Sequence, residues 1–297
     1  MSAGARIPYW KNTTVKDPVV PAQPDRGQAE PSYVEVPPPA ALADWVLSFW
    51  EIRLPNLTTP AQVRIVPNAS VDLVLYVSEP SRGDGIAAIV APPHRSYVVG
   101  STLRSFIVRS VGWRHVVGAS LRPAGVEPLL GLPAAVIGES VALLRDVIGR
   151  QADEIEDRIL TGPPDTVLRR MADVLQHWHG TLDAPDAVSH RAEHLVRQAR
   201  GRKRIDALAG DLNISARRLE RHFLAHVGMT PKLFSRLVRF DRAVRDLTTR
   251  GTTSWSQFAL AHGYTDQAHF INEFREFAGV TPTELEAENR GLGPSAT

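Results

Sequence analysis

The feature that most constrains this chain is an internal near-repeat within residues 205–282. In the first copy, Leu219–Phe223 is followed five residues later by Gly228–Pro231. In the second copy, Phe270–Phe274 is followed five residues later by Gly279–Pro282, at an offset of 51 residues. Because each copy combines an apolar helical pattern with turn residues, the repeat predicts one helix-turn-helix unit that occurs twice.

The first copy shows the pattern of two helices joined by a tight turn. Four apolar residues fall at i, i+3, i+4 and i+7 and predict one helical face: Ile205, Leu208, Ala209 and Leu212. Asn213 can adopt the left-handed conformation that ends a helix, and Ser215 is a good N-cap for the next one. Leu219 and Phe223 then face back onto the first helix. Three arginines remain outside: Arg217, Arg218 and Arg221.

The second copy has the same organisation with different residues. Its supporting helix carries Trp255, Phe258 and Ala259, and Gly263 ends that helix. Thr265 or Asp266 caps the following helix. That helix is expected to be buried through Phe270, Phe274 and Phe277.

A stiff spacer is predicted between the two copies. Thr230 and Pro231 form an N-cap followed by proline at the first helical position, which is a strong helix start. The helix should run to about Thr249 and turn these residues inward: Phe234, Leu237, Val238, Val244 and Leu247. At 1.5 Å per residue its length is roughly 28 Å. One turn of B-DNA is roughly 34 Å, so the spacer could hold two recognition helices in successive major grooves.

Ala207–Asn289 resembles the C-terminal domain of AraC/XylS-type transcriptional regulators. The matching residues are Leu208-Ala209, Ser215, Leu219, Arg221, Phe223, Gly228, Pro231, Arg239, Ala243, Phe258-Ala259, Gly263-Tyr264, Asp266-Gln267, Phe270, Phe274, Gly279-Val280 and Pro282. The resemblance implies a seven-helix domain with two DNA-reading helices. The N-terminal half more loosely resembles the attached sensor or dimerisation domains, through Trp45, Phe49-Trp50, Val71-Asp72-Leu73 and Leu121-Arg122-Pro123.

Two groups of residues are predicted to contact DNA. The recognition helices supply Ser215, Arg217, Arg218, Glu220, Arg221, Gln267, Ala268, His269 and Asn272. Phosphate contacts are assigned to Arg202, Lys203, Lys232, Arg236 and Arg275. Arginine can bond guanine O6 and N7 bidentately, and Glu220 could accept from cytosine or pair with a neighbouring arginine. The alternative for these cations is a solvated basic face. The family usually has a basic residue at the position of Asn272.

Composition and charge agree with a DNA-binding module near the C-terminal end. Residues 190–290 contain 17 Lys/Arg and 12 Asp/Glu, whereas the remainder contains 17 and 20. The 297-residue chain has no cysteine, which excludes disulfides, thiolate zinc fingers and a cysteine nucleophile. We expect a disordered arm at 1–30, a sensing or dimerisation domain at 31–180, a linker at 181–189, an AraC-type DNA-binding domain at 190–290 and a tail at 291–297.

The N-terminal half is predicted to be rich in β-strands, so the fold class is α+β: a sheet or barrel-like domain with trailing helices, then an all-α domain. Val- and Ile-rich runs predict strands at Val71–Val77, Ile86–Ala91, Tyr97–Val99, Phe106–Val111 and Val116–Leu121. Helices are predicted at Ala41–Trp50, Val126–Leu130, Val141–Ile148, Ala152–Leu160 and Thr166–His179. The polar segment Gly180–Ser189 is predicted to be a linker.

Three function classes compete. The first is a cytoplasmic, sequence-specific transcriptional regulator without catalytic activity, with promoter DNA, a small-molecule effector, a second copy of the chain and RNA polymerase as expected partners and no membrane. The second is a metal-dependent β-barrel enzyme fused to a DNA-binding module, suggested by His94 and His115. The third is an architectural DNA binder. Histidines two residues apart in His177-Trp178-His179 point to different sides of a helix, so we predict no metal and no cofactor. Trp50 and Trp113 could line an effector pocket or belong to the core.

Overall fold

The computed structural model describes residues 32–53, 61–77, 95–110, 115–179, 186–250, 252 and 254–290. An antiparallel sheet forms the N-terminal half, and helices form the C-terminal half. The predicted α+β class is therefore confirmed. The predicted arm at Met1–Glu30, the predicted strand at Ile86–Ala91, and His94 and Trp113 lie outside the described residues.

The sheet has six strands in the order β1-β2-β7-β4-β5-β8, and a separate two-stranded ribbon pairs β3 with β6. The strands are β1 (Ser32–Val36), β2 (Val46–Arg53), β3 (Ala61–Ile65), β4 (Val71–Tyr76), β5 (Ser96–Val99), β6 (Phe106–Ser110), β7 (His115–Leu121) and β8 (Val141–Leu143). Strand β7 lies between β2 and β4 and is buried along its whole length. A strand covered on both faces reads as a continuous apolar run, which is why this one was predictable.

The prediction of a helix at Ala41–Trp50 is wrong. A short 3₁₀ turn occupies Ala40–Leu42, and strand β2 begins at Val46. Phe49 and Trp50 are buried on opposite faces of this strand, so its apolar residues do not alternate with polar ones. Without that alternation, an apolar run of this length is compatible with either a helix or a strand.

The described residues after strand β7 form five α-helices in the N-terminal half: α1 (Val126–Leu130), α2 (Ala134–Ile137), α3 (Leu144–Ile148), α4 (Gln151–Leu160) and α5 (Val167–His179). The helix predicted at Val141–Ile148 is therefore correct only from Leu144, because Val141–Leu143 forms edge strand β8. These helices cover one sheet face, where Phe49, Leu73 and Leu75 join one apolar core with Met171 and Leu175.

The described part of the C-terminal half contains seven α-helices: α6 (Ala187–Gln198), α7 (Ile205–Asp211), α8 (Ala216–His222), α9 (Pro231–Arg250), α10 (Trp255–Ala261), α11 (Gln267–Ala278) and α12 (Pro282–Arg290). Helix α6 begins inside the range predicted to be a linker. Asp186 caps it by accepting a hydrogen bond from the Ser189 backbone N–H at 2.8 Å. Helix α9 matches the predicted spacer almost residue for residue.

The two halves share a continuous apolar core. Trp50 and Tyr76, on the sheet face opposite α1–α5, belong to the same buried cluster as the C-terminal helices. A buried Glu193 carboxylate on α6 accepts from the Ala124 backbone N–H at 3.0 Å. The neighbouring Arg197 side chain donates to the Ala69 carbonyl and lies over the Phe234 ring. The C-terminal helices are thus packed directly against the sheet half.

Candidate nucleic-acid interface

The first helix-turn-helix unit consists of α7 and α8 and has the predicted turn chemistry. Asn213 adopts the left-handed conformation, with φ of 53°. The Ser215 side chain accepts from the Arg218 backbone N–H at 3.2 Å and caps α8. Leu219 is fully buried between the two helices. The opposite face of α8 presents exposed Arg217, Arg218, Glu220 and Arg221.

The second unit consists of α10 and α11. Gly263 has φ of +80°, and Asp266 caps α11 by accepting from the His269 backbone N–H at 2.8 Å. Of the two predicted candidates for the N-cap, Thr265 and Asp266, the cap is therefore Asp266. Three phenylalanines anchor the buried face: Phe270, Phe274 and Phe277. The outer face of the same helix exposes Ala268, His269, Asn272 and Arg275.

Helix α9 is held against α11 of the second unit by an aromatic and an ionic contact. The Phe240 ring lies 5.2 Å from the Phe274 ring, measured between centroids. Arg236 Nε donates to Glu273 at 2.7 Å, and Arg239 donates to the same carboxylate at 3.1 Å. Arg236 also bonds Glu276 at 2.5 Å. Burial lowers the pKa of Arg236, but the bonds to Glu273 and Glu276 outweigh it and raise the pKa overall.

An open groove of about 790 Å³ lies beside these contacts and reaches both units. Its positive lining residues are Arg202, Lys203, Arg204, Lys232, Arg236 and Arg239, against three carboxylates from Asp206, Glu273 and Glu276. His269 and Asn272 line it from α11. An excess of cations in a groove open to solvent attracts a polyanion such as the DNA backbone.

The structure brings most of the predicted DNA-contacting residues to this groove or to the exposed faces of α8 and α11. Several already have partners within the chain. Arg202 donates to the Ala261 carbonyl, and Lys203 pairs with Asp211. The Gln267 side chain accepts from Ser256 at 2.9 Å, and His269 bonds the Thr265 hydroxyl at 2.7 Å. The DNA contacts of all these residues remain predictions.

Two groove cations, Arg204 and Arg239, lie outside the five residues assigned to phosphate, although the basic run and the face of α9 that contain them were also considered for contact with the DNA backbone. Arg204 is exposed at the groove and directly follows Arg202 and Lys203, so the basic run itself was the available signal. Arg239 shares a face of α9 with Lys232 and Arg236, and that spacing was the signal there. Arg197 belongs to the same basic run in sequence, yet it is held against Ala69 and Phe234 and lies away from the groove.

Trp50 and His115, two described residues among those considered for an effector or metal site in the sheet half, have structural partners. The Trp50 indole N–H donates to Asp72 at 3.3 Å, and Asn68, Ser70 and Ser120 donate to the same buried carboxylate. His115 bonds the Glu51 carboxylate at 2.5 Å. Burial lowers the pKa of His115, although the contact with Glu51 acts in the opposite direction.

Comparison with known families identifies two regions. Residues 208–288 match the family model for a helix-turn-helix domain. Residues 34–142 match a family model described as a domain of unknown function. The HTH-type transcriptional regulator ArgR of Pseudomonas aeruginosa is 33% identical over 86 residues, which are 29% of this chain and 26% of that protein. The chain thus spans about a quarter of the length of this curated relative.

Solved structures to which the chain is similar include a transcriptional regulator with an AraC-type DNA-binding domain from Chromobacterium violaceum. It is 28% identical, covers 36% of this chain and 95% of its own, and has a TM-score of 0.33. ToxT of Vibrio cholerae, bound to an unsaturated fatty acid, is 13% identical and covers 81% of this chain and 99% of its own, with a TM-score of 0.43. Among the described residues, no helix is both long and apolar enough to cross a membrane.

Proposed function

We propose that the chain is a transcriptional regulator of the AraC type that binds specific sites in double-stranded DNA, a proposal supported by the match of residues 208–288 to a helix-turn-helix domain. The observation that carries this proposal is the groove of about 790 Å³ with its cationic lining, which adjoins α11 and the start of α7. Helix α8 of the first unit presents three exposed arginines: Arg217, Arg218 and Arg221. In this proposal α8 and α11 read base edges in successive major grooves, and the groove cations contact the intervening phosphates.

We propose that residues 31–180 sense a small effector or pair two copies of the chain, with 1–30 as an arm, 181–189 as the linker, 190–290 as the DNA-binding domain and 291–297 as a tail. The packing of this domain supports the role, since its sheet face with Tyr76 and Tyr97 belongs to the same buried cluster as the C-terminal helices. An effector or a second copy bound to the sheet half would therefore be in a position to alter the contacts between the halves. If the chain is an activator, we propose RNA polymerase as a further partner. We propose the cytoplasm as the compartment in which the chain acts.

The competing enzyme class is not favoured. His115, one of the two histidines that suggested it, is held by Glu51. Within the described residues, the one group of three His, Asp or Glu donors that could hold a metal lies in the C-terminal half. A regulator therefore accounts for the chain better than a metal-dependent barrel enzyme.

Selection of binding sites from randomised duplex DNA with the full-length chain tests the proposal. We expect enrichment of a site with two blocks about 10 base pairs apart, one for each unit. The variant Arg221→Ala should bind this site more weakly than the native chain. The control variant Arg158→Ala, which changes an exposed arginine of α4, should bind it with unchanged affinity. Binding without enrichment over unrelated DNA would favour an architectural binder, and absence of binding would refute the proposal. Mapping the selected site in the genome then identifies the regulated promoters.

A further inference from the structure

Three potential metal ligands converge where α6 begins and α8 ends. Asp186, His222 and His226 each offer one ligand atom, and these atoms lie within 4.8 Å of one another. His222 Nδ1 is 3.1 Å from one carboxylate oxygen of Asp186, and His226 Nε2 is 3.9 Å from the other. This cluster contains none of the histidines that were singled out in the sequence. Its spacing gave no signal there, because Asp186 is 36 residues from His222.

The local backbone places the two imidazoles side by side. His222 is the last residue of α8, and Phe223–Val227 continues it as one turn of π-helix. The rings of His222 and His226 are nearly parallel, with an interplanar angle of 20° and centroids 6.2 Å apart. Single π turns inside α-helices are frequent at functional sites. Here the turn directs both rings toward the Asp186 carboxylate.

A fourth residue orients one of the ligands. His226 Nδ1 lies 2.7 Å from a Glu127 carboxylate oxygen, while its other ring nitrogen faces Asp186. A metal-bound histidine characteristically donates its second N–H to a carboxylate, which fixes the tautomer and raises the basicity of the ligating nitrogen. Glu127 has the position that this role requires. The three ligand side chains are 20–28% exposed, so an ion and a completing water molecule have access.

We propose that Asp186, His222 and His226 bind one divalent transition-metal ion of the Zn²⁺ class, with Glu127 as the hydrogen-bonded partner of His226. Two imidazole nitrogens and one carboxylate oxygen suit Zn²⁺, whereas Mg²⁺ and Ca²⁺ require oxygen ligands. Water occupies the fourth position. The ion joins the start of α6 to the end of the first recognition helix, and Glu127 extends that connection to α1 in the sheet half. Metal occupancy thereby couples the two halves of the chain, a property beyond the proposed DNA binding.

The test is direct measurement of metal binding by the tag-free, full-length chain after removal of metal by a chelator. Titration with ZnCl₂ should show one high-affinity ion per chain, and Co²⁺ should give the intense visible absorption of a tetrahedral site. His222→Gln and His226→Gln should abolish this binding. Asp186→Ser should do the same while it retains an N-cap residue for α6. The matched control is His194→Gln, since His194 is exposed on α6 outside the cluster.

The further variant Glu127→Gln removes the outer carboxylate and leaves every direct ligand in place. It should weaken Zn²⁺ binding by about 10- to 100-fold, as expected for loss of an outer carboxylate partner. If the native chain binds no stoichiometric Zn²⁺, or if all four cluster variants bind it as the native chain does, the proposal is wrong. Equal loss in His194→Gln would also overturn it. Because no DNA is present in these measurements, their outcome is independent of the proposed regulator function.

Discussion

Arg221 and Asn272 occupy equivalent positions in the two recognition helices, 51 residues apart, but differ in charge. Both are exposed. We predict that Arg221→Ala costs about 1–3 kcal/mol of binding to the selected site, the amount lost with a bidentate base contact. Asn272→Ala should cost less, because a neutral hydrogen bond is weaker than a charge-assisted pair. Titration of both variants at several salt concentrations measures the difference.

The salt dependence separates two causes of the expected loss. If Arg221 also neutralises a phosphate, its removal should reduce the slope of log K against log salt by about one, whereas Asn272→Ala should leave that slope unchanged. Equal losses of affinity in the two variants would show that the helices contribute equally. The number of acidic residues in α11 does not by itself predict how much this helix contributes to DNA affinity, since Glu273 and Glu276 are both paired with Arg236.

Glu273 should be important for stability, although its position in a recognition helix invites a DNA-binding interpretation. Its side chain is 3% exposed and bonds both Arg236 and Arg239. Glu273→Ala would leave two partly buried guanidinium groups without their carboxylate, which we expect to cost about 3–5 kcal/mol of unfolding free energy. Glu276→Ala is the matched control. It removes a 54% exposed partner of the same Arg236 and should cost at most about 1 kcal/mol.

Urea denaturation of the two glutamate variants provides the measurement. A loss in Glu273→Ala no larger than that in Glu276→Ala would mean that the arginines find solvent or another partner. The buried carboxylate would then not be what holds α9 and α11 together.

At the scale of elements, the start of α8 allows capping and DNA binding to be separated. Ser215 accepts from the Arg218 backbone N–H. Ser215→Ala should therefore lower stability by about 1 kcal/mol. Ser215→Asp keeps an equally good cap but adds a negative charge to an exposed position predicted to face phosphate. We expect this variant to keep its stability and to lose DNA affinity most strongly at low salt.

Thermal unfolding and DNA titration of both serine variants test this separation. Unchanged affinity in Ser215→Asp would place the beginning of α8 away from the phosphate backbone. Unchanged stability in Ser215→Ala would show that water replaces the hydroxyl as partner of the Arg218 N–H.

How well each element could be predicted depended on whether its signal was local. The caps and the spacer helix of the C-terminal half rest on local residues, such as Ser215, Asn213 and Thr230, and the structure has them as predicted. Strand β2 failed because its pairing with β1 and β7 is non-local and both of its faces are buried. The proposed metal cluster could not be predicted from the sequence either, because its ligands come from separate helices and meet only through non-local contacts.

At the scale of the whole molecule, the shared core raises the question of whether the C-terminal helices fold alone. Their own interior is extensive, with Leu219, Phe223, Phe234, Phe240 and Phe274 all inaccessible to solvent. Contacts to the sheet half are added around it. Such contacts include ion pairs of Arg64 with Glu288 at 3.1 Å and of Arg245 with Glu35 at 3.6 Å. Both pairs are partly buried, and the shared apolar core adds further contacts, so separation from the sheet half should lower stability. The interior that the C-terminal helices form among themselves should still suffice for autonomous folding.

We therefore predict that the fragment 186–290 folds and binds DNA, and that 190–290 is less stable. Truncation at 190 removes the first turn of α6, including the Asp186 cap and the fully buried Ser189. Loss of such a cap alone costs about 0.5–2 kcal/mol. Circular dichroism during urea denaturation and titration with the selected DNA measure both properties. Affinity below that of the full chain is compatible with the prediction if the full chain is a dimer that engages two linked sites. An unfolded 186–290 fragment, or one that binds only when residues 31–180 are supplied, would instead show that the sheet half completes the core on which the recognition helices depend.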